Sequence, residues 1–258
     1  LAGEGATQAQ IEHIEKLYGL DQPLIVQYFD WALSAVKGDL GESLYSNEPV
    51  FEMILNRMGV TALLAFLSLT LGIMVAVPLG IFAAVYRNSW IDRVSLALAV
   101  FGSAVPNFWF ALVLIYFFGV KLQWFPISGS DTIWHFVLPT ITLSTMVMPQ
   151  IMRLTRGGMI EALDADYVKV AWAKGLNPSS VFLKHALRNA ILPVVALSAV
   201  SLGFLLGGSV IVEAVFALNG VGSLAYESIQ TADFPVVQSI LFVLSFIYVL
   251  LTLLSDLI

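Results

Sequence analysis

The sequence predicts an all-α membrane protein that crosses the bilayer several times, and three observations predict it. Hydrophobic residues make up 59% of the 258 positions and charged residues 12%, about half the charged share of a soluble domain. The charges are clumped, leaving runs without Asp, Glu, Lys or Arg that are long enough for a spanning helix. These runs are apolar on every face, whereas a spanning strand needs only about ten residues of alternating pattern.

Five runs qualify: about Met58–Tyr86, Val94–Val120, Thr132–Met152, Ala190–Val212 and Phe234–Leu254. They divide the remaining chain into two alternating sets of loops. One set (1–57, 121–131, 213–233) holds Lys16, Lys37, Arg57 and Lys121 against thirteen acids; the other (87–93, 153–189 and the C-terminal end) holds eight Lys and Arg against five acids. Lys and Arg near membrane segments mark the cytoplasmic side. The second set is therefore expected to face the cytoplasm and residue 1 the outside, which leads us to expect one further span ahead of these five, six in the intact protein.

The chain is expected to divide at residue 57 into an extracytoplasmic helical segment (1–57) and a transmembrane domain (58–258). In the outer segment Thr7 with Gln10 fits a capping box, Ile11, Ile14, Leu17 and Tyr18 fall at helical spacing, Glu12 and Lys16 are an i,i+4 pair, and Gly19 is placed to stop the helix. A second helix is expected between Asp21–Pro23 and Gly38, with Leu24, Tyr28, Trp31 and Ala35 as its stripe. An amphipathic cap lying on the membrane is the simpler reading of this segment, and a contact for a solute-delivery protein the functional one.

Pro78, Pro106, Pro139, Pro149 and Pro193 fall in four of the runs, where neighbouring helices can satisfy the carbonyls that proline frees. Gly203 and Gly207 form a small-xxx-small pair suited to close helix approach, and Met146, Met148 and Met152 read as gap-fillers. No Asp, Glu, Lys or Arg lies deep in any run, whereas ion-coupled transporters keep ionisable residues there. The energy for any uphill transport must then enter elsewhere, unless a further span carries the charge. His13, His135 and His185 are scattered over both sides, there is no cysteine, and no glycine loop carries the Lys and Ser or Thr of a phosphate cradle. Neither a metal site, a catalytic set nor an ATPase is legible, and no nucleic-acid partner is expected.

The one substantial basic loop is 153–189. Met159–Lys174 is predicted as a helix with Ile160, Leu163, Tyr167, Val170 and Ala171 as its apolar stripe and Gly175 as its C-cap; Asn177 or Ser179 then caps a second helix, Ser180–Asn189. Anchoring to acidic lipids explains its mixed charge poorly, because three acids sit among six Lys and Arg. A knob on which an energy-supplying partner docks is the alternative.

Within this loop Asp166–Leu176 (DYVKVAWAKGL) followed by His185–Val195 (HALRNAILPVV) resembles the permease subunits of ATP-binding-cassette importers, in the dipeptide, oligopeptide and nickel branch. Segments such as Gly19–Trp31, Lys37–Leu44, Pro106–Trp109, Leu122–Gly129 and Gly207–Gln238 look like parts of the same permeases in the same order, so the resemblance covers nearly the whole chain. It implies the type I importer permease fold in a bacterial inner membrane and a transport subunit, not an enzyme, for di- or oligopeptides; nickel, glutathione or another small solute is the alternative cargo. Outside the family, a channel or secondary transporter would move solute without nucleotide.

The resemblance also implies the partners: a second, paralogous permease, two cytoplasmic ATPase subunits carrying the ATP and magnesium that this chain does not bind, an extracytoplasmic solute-binding protein, and the lipid bilayer. In the family this is the "EAA" loop, whose helix enters a cleft of the ATPase. By resemblance Asp166, Tyr167, Lys169, Ala171, Lys174 and Gly175 form the coupling surface, with Lys169 standing where the motif has glutamate.

Overall fold

The structure, a computed structural model, describes residues 8–9 and 21–257; the expected capping box and the stripe from Ile11 to Tyr18 lie outside that range. The helices, in chain order, are α1 (Leu24–Val36), α2 (Val50–Val85), α3 (Trp90–Ala104), α4 (Asn107–Leu114, continued by a π-helical turn at Ile115–Lys121), α5 (Val137–Ser144, preceded by a 3-10 turn at Ile133–Phe136), α6 (Met148–Asp164) and α7 (Asp166–Ala173). Then follow α8 (Pro178–Ser180, Val181–Ala186 and Leu187–Ala190 in one rod), α9 (Leu192–Phe216), α10 (Val221–Gln230) and α11 (Phe234–Asp256). No β-strand occurs among the described residues beyond one isolated Glu42–Pro49 bridge.

Three helices, α2, α9 and α11, are each long and apolar enough to cross a membrane. The second expected run does not form a straight span: α3 and α4 meet at 101° across Val105–Pro106. Proline forces this, since its ring excludes the residue before it from helical geometry, and Val105 is extended with ψ 125. The third run is also divided. Its helix stops after Ser144 and restarts at Met148 with Pro149 in the first turn, where a missing N–H costs nothing. The two breaks face each other, with the Thr145 hydroxyl donating to Asn107 Oδ1 at 3.4 Å. Proline therefore mostly starts helices here; Pro78 lies deep inside α2, and Pro139 follows the 3-10 turn that leads into α5.

The first run begins earlier than its lack of charge indicates, at Val50, because Glu52 and Arg57 are carried on the same helix. With 36 residues, α2 is about 54 Å long, well beyond the roughly 30 Å of bilayer hydrocarbon. Its buried face is small: Ser68, Gly72, Ala76, Gly80 and Ala84 recur every fourth residue. A Cβ on Gly80 would lie 2.7 Å from Thr155 Cβ and 2.9 Å from the Met152 carbonyl oxygen, so α2 and α6 touch almost backbone to backbone. Gly203 does the same between α9 and α11, where an added Cβ would meet Tyr248 Cδ2 at 2.8 Å. Gly207 faces open space, so the Gly203–Gly207 pair is not one packing motif; Gly203 alone sits at a crossing.

Three buried apolar clusters hold the bundle. The largest lies along the spanning helices, with Leu64, Leu143, Ile151, Leu205 and Phe216. A second joins Ala35, Leu40, Val50 and Ile54 to Val221, Leu224, Val236 and Ile240. A third joins Ala84, Met159 and Ala162 to Val168, Ala171, Val181 and Ala186. Around the second, Asp233 accepts from the Ser43 hydroxyl and, at 3.1 Å, from Leu44 N–H, Arg57 pairs with Glu227 at 3.1 Å, and Gly129 N–H reaches Phe216 O at 3.1 Å. Around the third, Arg156 grips Asp92 through two bonds of 2.7 and 2.8 Å, and Arg87 lies 3.8 Å from Asp164. The loops sorted by charge thus gather in space as they do in sequence, one acidic end and one basic end.

Of the stripe expected on α1, only Trp31 and Ala35 pack inward; Leu24 and Tyr28 are exposed. Trp31 meets Phe242 edge-on with ring centroids 5.3 Å apart. Gly38 ends α1 at φ +88, with Gly38 N–H bonded to Ala35 O and Asp39 N–H to Ser34 O, both at 3.0 Å, the paired closure that a left-handed residue allows.

Candidate functional site

At the basic end the polypeptide leaves the bundle on α6, turns, and returns on α8. The expected single helix Met159–Lys174 is two helices. Ala165 is extended at φ −73, ψ 150, so α6 ends at Asp164 and α7 starts afresh at Asp166. The acid in the first turn of α7 suits the positive end of its dipole. The break resets the helical register, and the stripe changes with it. Val168 and Ala171, three residues apart, are buried against Val181 and Ala186 of α8, while Tyr167 and Val170 turn outward.

The second half of the element forms as the sequence predicts. Gly175 takes φ +74, its N–H bonds Trp172 O at 3.0 Å and Leu176 N–H bonds Ala171 O at 3.4 Å. Of the two candidates for the next cap it is Asn177 that serves, its Oδ1 accepting from Ser180 N–H at 2.7 Å. Trp172 and Phe182 meet edge-on, centroids 6.0 Å apart, and close α7 onto α8.

The six residues expected at the coupling surface divide. Asp166, Tyr167, Lys169, Lys174 and Gly175 are exposed, but Ala171 is only 4% exposed and faces its own protein. Ala171 packs with Val181 and Ala186, and its small side chain lets α7 lie close on α8. Lys169 Nζ and Asp166 Oδ1 are 2.8 Å apart, so their charges partly cancel before any partner arrives. Three residues outside the expected set, Val170, Trp172 and Leu176, are 51%, 43% and 36% exposed and give this surface an apolar, aromatic character. The signal that could have found them is the pair of acids in Leu-Asp-Ala-Asp (163–166), which marks a helix stop and restart.

The knob is held to the bundle by the Arg156–Asp92 pair. Asp92, 4% exposed at its side chain, also accepts from Asn88 N–H at 3.0 Å, so the first turn of α3 is bolted to α6 about two turns before α6 ends. Among the described residues no group of three His, Cys, Asp or Glu could hold a metal ion.

Residues 76–258 match the family described as the binding-protein-dependent transport system inner membrane component. The chain is 40% identical over 256 residues to the glutathione transport system permease protein GsiC of Escherichia coli strain K12, covering 99% of this chain and 84% of that protein. The GsiC of Pectobacterium atrosepticum is 40% identical over 255 residues, with 99% and 83% covered. Among solved structures, the inward-facing MetNI methionine ABC transporter superposes with a TM-score of 0.69 at 21% identity, over 81% of this chain and 95% of that one. An amino acid ABC transporter gives 0.60 at 18%, over 80% and 92%. Its helices, its fold and the proteins it resembles agree: this chain belongs to the inner membrane components of binding-protein-dependent transport systems, as a permease subunit of an ATP-binding-cassette importer and not an enzyme.

Proposed function

We propose that the basic end of this permease is its cytoplasmic side, that α7 is the helix on which an ATPase subunit docks, and that the cargo is a short peptide of the glutathione class. The observation that carries the docking assignment is the knob itself. It is a short helix ended by Gly175, buried on one face by α8 and exposing Tyr167, Val170, Trp172 and Leu176 on the other. Exposed aromatic residues on a braced support are what a partner's cleft can grip. The cargo assignment is supported by the 40% identity to permeases named for glutathione transport, a tripeptide and so within the peptide class.

On this reading a second permease chain completes the pathway, an extracytoplasmic binding protein delivers cargo to the acidic end, and two ATPase subunits bind ATP and magnesium. Closure of the ATPases draws the paired α7 helices together, and rigid-body motion switches access between the two sides. Gly175→Val tests the docking. The β-branched side chain is strained at φ +74 by about 1–2 kcal/mol or more, which turns α7 away from its seat. Uptake by the reconstituted transporter falls at least tenfold while ATP hydrolysis no longer responds to the binding protein. Unchanged uptake with normal stimulation would defeat the assignment. For cargo, labelled glutathione, a dipeptide and Ni²⁺ are offered to the same proteoliposomes; accumulation of nickel alone removes the peptide reading.

A further inference from the structure

At the acidic end α10 has no cap of its own. Its N-cap position is Gly220, which has no side chain to offer, yet the first N–H groups of a helix require acceptors. They are supplied by two other helices. Val221 N–H donates to Thr61 Oγ1 of α2 at 2.8 Å, and Ser223 N–H donates to Glu213 Oε2 of α9 at 3.0 Å. Glu213 is fully buried, its other oxygen accepts from the Ser209 hydroxyl at 2.7 Å, and no Lys, Arg or His pairs with it among the described residues.

The glycines make this approach possible. A Cβ on Gly220 would strike Glu213 and lie 2.7 Å from Thr61 Oγ1, and one on Gly222 would lie 2.7 Å from the backbone Cα of Val210. The Gly-Val-Gly sequence is thus a contact surface for a buried carboxylate. The outer ends of α2, α9 and α10 meet at one point, and α10 is tied onward to the loop 39–49 through the cluster containing Leu40, Val50 and Leu224 and through Asp233 with Ser43.

We infer that Glu213 is a positioning residue: by capping α10 from α9 while Thr61 caps it from α2, it makes the outer ends of these helices and the 39–49 loop move as one body during transport. Its reach does this work, and its charge does not. Gln in its place keeps the reach. Its carbonyl oxygen can accept from Ser223 N–H, and its amide can donate to Ser209 Oγ, whose proton, given to Glu213 in the parent, then turns to Leu206 O, 3.0 Å away. Asp keeps the charge but is shorter by one bond, about 1.5 Å, and cannot span both partners.

The chain has no cysteine, so two spin labels can be placed by substitution at Ile229 on α10 and Met74 on α2, both more than 60% exposed. Double electron–electron resonance is recorded on the assembled, reconstituted transporter with cysteine-free partner subunits, alongside cargo uptake. Glu213→Gln should keep one narrow distance distribution and uptake within about twofold, whereas Glu213→Asp should broaden the distribution and lower uptake at least tenfold. The inference is overturned if Gln abolishes uptake while Asp preserves it, or if the distribution is the same in all three proteins. Thr61→Val in the Gln background gives a second reading: it should broaden the distribution, and an unchanged one counts against the shared cap.

Discussion

At the scale of single residues, the backbone holds an avoidable cost at two exposed alanines with positive φ, Ala217 and Ala232. Ala217 ends α9 in the left-handed region at φ 48 and is solvent-exposed, a conformation that costs an L-residue with a Cβ roughly 1–2 kcal/mol and glycine almost nothing. Ala217→Gly is therefore expected to stabilise the solubilised protein by about 1 kcal/mol, read as a raised midpoint of thermal unfolding. The opposite sign is expected at Gly80. Alanine there would press a methyl group against the Met152 carbonyl and Thr155 Cβ, and overpacking of this kind costs about 1–3 kcal/mol. The Arg156–Asp92 pair sets a third case. Its carboxylate is nearly buried, and Asp92→Asn leaves the guanidinium without its two-pronged partner, so a loss of about 3 kcal/mol is expected. An unfolding midpoint within error of the parent would show that the pair contributes nothing.

At the scale of helices, the basic knob is where sequence and structure part most instructively. Gly175 and Asn177 are legible because their roles depend on their own backbone and side chain, and both do what local chemistry dictates. The face of α7 is not legible by the same means. Periodicity carried across Ala165 from α6 assigns Tyr167 and Val170 to the interior, and one extended residue inverts that assignment. The bend at Val105–Pro106 is similar: the proline is visible, but the 101° angle depends on what α3 and α4 pack against. The buried cap on α10 has no local signature at all, since Thr61 and Val221 lie 160 residues apart. The long apolar helices, by contrast, are legible because membrane solvent imposes composition on every position. One prediction belongs to this scale. Val170→Asp, on the exposed face of α7, should weaken binding of the ATPase subunit at least tenfold, about 1.4 kcal/mol, in a pull-down titration, with the permease's own unfolding unaltered.

At the scale of the whole molecule, charge sorting and folding agree on two ends, and their sidedness can be measured directly. In a protein that has no cysteine, Leu24→Cys at the acidic end and Val170→Cys at the basic end are both exposed. An impermeant maleimide applied to intact cells should label the first and not the second, with the second labelled only in inverted vesicles; the reverse pattern would overturn the proposed sidedness. The long helix α2 gives the two ends a mechanical relation. Among the described residues it alone contributes buried side chains to all three clusters, Val50 and Ile54 at the acidic end, Leu64 to Ala83 between, and Ala84 beside the knob. A helix of this kind works as a drive shaft. On the docking proposed above, a displacement of the knob would pass along this helix to the far end, and the weakest point of the path is Pro78, where one rung of the hydrogen-bond ladder is missing.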